Sequence, residues 1–253
     1  MKNTKLTIYF LLLLFIHLPS SSTADEITIV ADQWYPYNGD EKSPGYGIEI
    51  AKHIFQAAGH KIIYKIMPWN RAIKKTREGK FNAIIGAMKE EAPDFIFPEE
   101  EFGISEEMFF AKKGSTWRYN GIKSLQGINI GLIKDYSYGN ELEDFFADNP
   151  DKTQYAQVTK PLEMNIKKLL YGRVDVIIED PVVLAQTSMQ MGLSEQLIKV
   201  GKTTQADKVY VSFSPNIAKS KEYAEIYTEG IRKLQASGEL EKILAKYHLT
   251  YWK

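Results

Sequence analysis

Glu26-Ile27-Thr28-Ile29-Val30 and Asn82-Ala83-Ile84-Ile85-Gly86 bracket the stretch whose pattern decides the fold. Both are short apolar runs that read as strands, the second as a buried one. Between them Ile48, Ala51, Ile54, Phe55 and Ala58 recur at helical spacing, with Gly59 placed as a stop. Lys61 to Met67 is predicted to be the middle strand, and Pro68 suits the first turn of a helix through Thr76. The order is βαβαβ, which predicts a parallel sheet.

A second set of the same kind follows Gly114. Strands are predicted over 128–133, 155–158 and 174–178, with helices over 138–146 and 162–170 between them. Gln196 to Val200 and Val209 to Phe213 read as two further strands. Helices over 219–236 and 239–247, separated by Gly238, end the chain. No internal sequence repeat is visible.

The N-terminus bears on the compartment. Lys2 and Lys5 precede an apolar run from Leu6 to Leu18, interrupted by Thr7 and His17, and Ser22-Thr23-Ala24 offers small residues for cleavage. Thirteen residues fall short of the ~20 that span a bilayer as a helix. Residues 1–24 are therefore expected to be a cleaved signal peptide and the mature chain a secreted, periplasmic protein. Its loss removes two lysines and no acidic residue, leaving 30 basic against 32 acidic side chains, about −2. That balance gives no reason to expect a nucleic-acid partner. The chain has no cysteine, which excludes disulfides, thiolate metal sites and a lipid on an N-terminal Cys.

Five motifs in order resemble the bacterial extracellular solute-binding proteins of family 3. They are Asp32-Gln33-Trp34-Tyr35-Pro36-Tyr37, Gly45-Tyr46-Gly47-Ile48-Glu49-Ile50-Ala51, Gly79-Lys80-Phe81-Asn82-Ala83-Ile84-Ile85-Gly86, Ile130-Gly131-Leu132 and Gly172-Arg173-Val174-Asp175-Val176-Ile177-Ile178-Glu179-Asp180. The resemblance implies an α/β periplasmic-binding-protein fold of two lobes. Each lobe would be a mainly parallel sheet flanked by helices, with two crossover strands as the hinge. Lobe 1 is expected over 25–112 and 207–253, lobe 2 over 113–206, with crossings near 111–117 and 203–209.

It also implies a monomeric receptor that closes on a small polar, amine-containing or amino-acid-like ligand without a cofactor or metal, and an inner-membrane ABC permease as partner. A signalling partner is the alternative. So is a dehydratase or lyase driven by Glu179 or Asp180, although no Cys, His pair or Gly-x-Ser-x-Gly elbow supports an enzyme.

Carried over residue by residue, the resemblance points to Trp34 and Trp69 as aromatics that sandwich the ligand, or else as core residues. Asp32 would meet the ligand side chain. Asp180 would take an ammonium, or cap the helix that Pro181 begins. Tyr136, Ser137 and the backbone beside them form an anion cradle or a plain helix cap, and Ala87 completes the set. The family's clamp Arg is missing, with Glu91 at or near its place. Arg71 is the candidate substitute, although two residues along a helix from Trp69 its side chain turns ~200° away. Arg118 is the next candidate, or a solvated hinge residue.

Overall fold

The computed structural model describes residues 24–251. The signal-peptide expectation lies almost wholly outside the described residues. The first set is β1 (Glu26–Ala31), α1 (Tyr46–Ala57), β2 (Lys61–Ile66), α2 (Trp69–Arg77) and β3 (Ala83–Ala87). β4 (Gly103–Lys112) leads to the second set: β5 (Ile130–Ile133), α3 (Asn140–Asp148), β6 (Thr153–Ala156), α4 (Pro161–Leu170) and β7 (Val176–Glu179). Then come α5 (Pro181–Gln190), β8 (Leu197–Phe213), α6 (Ser220–Ala236) and α7 (Glu239–Ala245).

The strands form one curled mixed sheet in the order β2-β1-β3-β8-β4-β7-β5-β6. β1 is parallel to β2 and β3, and β5 is parallel to β6 and β7. Two long strands join these sets: β8 is antiparallel to both β3 and β4, and β4 is antiparallel to β7. β1 and β3 run through the first core, with Ile27, Ile29, Ile84 and Ile85 fully buried under Ile48, Ile50 and Phe55 of α1. Leu132, Val176, Ile178, Leu142 and Phe146 belong to a second cluster around β5 and β7.

Several elements differ from expectation. β4 begins well before the crossing expected near 111–117, and its Met108–Ala111 already pair with β7. The two strands expected over 196–213 are one strand of 17 residues, because the polar middle pairs with β4 across a register shift. α3 starts at Asn140, not 138, since Asp135 and Gly139 adopt positive φ of 64° and 79° and keep the chain out of the helix. α5 was not assigned from the sequence as a helix of its own. Its cap is Asp180, whose carboxylate accepts the N–H groups of Val182 and Val183.

These connections carry the carboxyl ends of β1, β3, β5 and β7 toward one region. Asn82, just before β3, ties the two strands together: its Oδ1 accepts both the N–H and the hydroxyl of Thr28 in β1. Gly47 lets the start of α1 lie close to its neighbours. A Cβ there would stand 2.6 Å from the buried Phe102 ring and 2.9 Å from the Tyr37 carbonyl. Gly47→Ala should therefore lower stability by ~1–3 kcal/mol, read as a shift in the urea midpoint at unchanged slope.

Candidate functional site

At the strand ends the loop after β1 folds back on itself. Trp34 N–H donates to the Asn38 carbonyl at 2.7 Å, and Asn38 Nδ2 donates to the Asp32 carbonyl at 2.9 Å. The Trp34 ring stacks on Tyr37, with centroids 4.0 Å apart and planes within 15°. Gly86 makes room for this loop: at φ 94° a Cβ would stand 2.6 Å from Asn38 Oδ1. Trp69, the first residue of α2, points its Nε1–H at Glu91 Oε1, 3.2 Å away.

The opposite wall comes from the second set. Tyr136 and Ser137 follow β5, and Glu179 and Asp180 stand where β7 meets α5. Hydrogen bonds close the two walls on each other. Trp34 Nε1–H donates to Glu179 Oε1 at 2.8 Å, Tyr136 O–H to Asp32 Oδ2 at 2.9 Å, and Ser137 N–H to Glu91 Oε1 at 3.3 Å. The cavity left between them is about 20 Å³, room for about one water.

The electrostatics are one-sided. Asp32, Glu91, Glu107, Glu179 and Asp180 line the cavity, and no Lys, Arg or His does so among the described residues. Burial holds the carboxyl of Asp32 up at about 7 against the Tyr136 hydrogen bond, and those of Glu91 and Glu179 at about 8. Burial also raises Asp180, and raises Glu107 well above the carboxyl range, with neighbouring acids adding to the Glu107 shift.

Six residues singled out in the sequence meet here: Asp32, Trp34, Trp69, Tyr136, Ser137 and Asp180 line the cavity. Their roles differ in detail. Trp34 and Trp69 are 5% and 3% exposed and also belong to the first hydrophobic cluster, so they are wall and core at once. Both Asp180 oxygens are engaged: Oδ1 by the helix cap, Oδ2 by Ser105 O–H at 2.9 Å, with the Tyr37 O–H 3.1 Å away and shared with the Ile104 carbonyl at 2.6 Å. The 136–138 cradle holds the chain's own acids, Glu91 on Ser137 N–H and Glu143 on Tyr138 N–H.

Three residues are not brought to the cavity. Arg71 is exposed, turned off the Trp69 face by helix geometry. Ala87 is buried in β3 opposite Tyr210, while its neighbours Gly86 and Met88 supply the lining. Arg118 is exposed too, and donates to the Ser115 and Trp117 carbonyls. Asn38, Ser105 and Glu107 were missed as site residues. Neither of the last two could be placed without β4.

A sequence model described as bacterial extracellular solute-binding proteins, family 3, matches residues 27–250. A curated relative, the probable amino-acid-binding protein YxeM of Bacillus subtilis (strain 168), is 22% identical over 235 residues, 90% of this chain and 86% of that protein. Among solved structures, one from work on glutathione import through GshT and the cystine ABC importer TcyBC of Streptococcus mutans superposes with a TM-score of 0.74 at 19% identity. It covers 88% of this chain and 95% of the other. A histidine kinase sensor domain with similarity to periplasmic binding proteins gives the same TM-score, 0.74, at 19% identity, covering 87% and 95%. At these identities the two structures establish the fold alone.

The raised carboxyls couple stability to pH. Asp32, Glu91 and Glu179 hold protons up to about 7 to 8 in the folded protein, whereas carboxyls exposed to water release them near ~4. The folded protein thus binds more protons than the unfolded chain, and the stability these groups contribute, fully present below ~4, is lost as pH rises through 8. The urea midpoint of the unliganded protein should be lower at pH 9 than at pH 5.5. Equal midpoints would contradict this coupling.

Proposed function

The chain belongs to the bacterial extracellular solute-binding proteins, family 3, and from that premise we propose that it is a receptor that captures one small polar molecule by closing two lobes around it. The observation that carries this reading is the enclosed cavity at which the carboxyl ends of β1, β3, β5 and β7 converge, lined from both βαβαβ sets. Open α/β sheets hold their ligands at strand ends of this kind.

In this reading the lobes hinge where β4 pairs with β8 between Ser105↔Asp207 and Met108↔Lys202, at the irregularity of that ladder. The first lobe boundary then falls near 105, upstream of 112, because Met108–Ala111 pair with β7. The second boundary is taken near 207, where Asp207 pairs with Ser105. Closure is a rigid-body motion of one lobe on the other. The mature receptor works in the periplasm after cleavage near Ala24, and its partner is the permease of an ABC importer. Bond pairs such as Trp34–Glu179 and Tyr136–Asp32 latch the closed form.

A thermal-shift screen over amines, amino acids, dicarboxylates and short peptides tests the reading, since a ligand at 100 times its Kd adds ~2.7 kcal/mol. At least one solute should raise the melting temperature. Trp34→Ala and Trp69→Ala should each weaken its binding ~10-fold or more in calorimetry, through lost aromatic contact. Undiminished affinity in both variants would remove the site from this cavity.

A further inference from the structure

Resting on that receptor reading, we propose that the captured molecule is a small organic cation without a carboxylate, an alkyl amine or diamine, and that Glu91 occupies the place where a ligand's own carboxylate would bind. Five carboxyl side chains line the cavity, with no cationic side chain beside them among the described residues. Acids on a surface often share solvent, but these are shut in: Asp32, Glu179 and Asp180 are each at most 5% exposed.

Two oxygens in the lining have no partner. Glu179 Oε2 and Asn38 Oδ1 are buried without a hydrogen-bond partner, while Glu179 Oε1 already takes the Trp34 indole N–H and the Asp180 N–H. Once a bound cation ionises Glu179, both are buried acceptors that call for a donor, and an ammonium brings three. Among the described residues no three His, Cys, Asp or Glu side chains stand where they could hold a metal ion, which favours an organic cation.

The donors that could hold an anion are taken. Met88 N–H, Ser137 N–H and Trp69 Nε1–H all go to Glu91, at 2.8, 3.3 and 3.2 Å, and Tyr138 N–H goes to Glu143. A ligand carboxylate would have to displace Glu91 and then face the remaining acids. An ammonium replaces the latch bonds instead. Trp34 and Tyr136 release Glu179 and Asp32 to it, and Trp34, Trp69 and Tyr136 offer ring faces and edges to its carbon chain. The cavity as it stands is too small for a carbon chain, so the lobes stand further apart when the amine is in place.

Calorimetry with 1,4-diaminobutane, ornithine and succinate tests this, because ornithine is the diamine with one carboxylate added. Wild type should bind 1,4-diaminobutane at least ~10-fold tighter than ornithine and should not bind succinate. Glu179→Gln should weaken the diamine by ~10-fold or more. Glu91→Ala frees three donors and should narrow or reverse the preference for the diamine over ornithine. Should that variant not fold, Glu91→Gln should weaken the diamine while leaving ornithine unchanged. Tighter binding of ornithine or succinate by wild type overturns the inference, as does a diamine-to-ornithine ratio that no Glu91 variant moves. If none of the three binds while another solute closes the cleft, the ligand class is overturned and the receptor reading stands. If no solute closes it, the receptor reading itself fails.

Discussion

Five carboxyl groups around one small cavity, four of them buried and none with a cationic side chain beside it in the lining, are the constraint around which the site is built. Two carboxylates ~4 Å apart repel by ~4 kcal/mol at an effective dielectric of 20, and removal from water adds to that cost. The protein meets it with protons and donors. Asp32, Glu91 and Glu179 keep their protons to about 7 or 8. Indole, phenol and backbone N–H and O–H groups from both walls are spent on these acids. A cleft closed in this way is neutral only as long as it is protonated or holds a cation.

The fold makes such a cleft possible by bringing two parallel sets end to end. β4 and β8 lie between them, and their ladder is irregular at Glu106/Met108, close to Glu107 of the lining. The loop between β1 and α1 depends on Gly86, and the start of α1 on Gly47, at each of which a Cβ would collide. Asp180 links fold to site: the carboxylate that starts α5 also receives Tyr37 and Ser105.

Much of this was legible in the sequence. The βαβαβ order of both sets followed from apolar runs and helical spacing, and the motif order led to the family. β4 was not legible because Glu106-Glu107 interrupts its apolar run, and burial of Glu107 could not be read from a pair of acids. α5 was read only as one alternative, through its cap at Asp180, because Val182-Val183-Leu184 has no polar break to mark a helical period. Six of the eight site residues singled out came together. The sequence left two roles open for Asp180. In the structure capping engages Asp180, and its neighbour Glu179 keeps the open oxygen. Glu91 was noticed only as a missing Arg. Its hold on Trp69 and Ser137, donors from distant parts of the chain, has no local signature.

The central claim is that this cavity holds protonated carboxyls, and carboxyl 13C shifts of the unliganded protein followed from pH 4 to 10 test it most directly. Asp32→Asn, Glu91→Gln and Glu179→Gln assign the signals. The account predicts a midpoint of about 7 for Asp32 and about 8 for Glu91 and Glu179. Midpoints for all three in the ordinary carboxyl range near ~4 would contradict it.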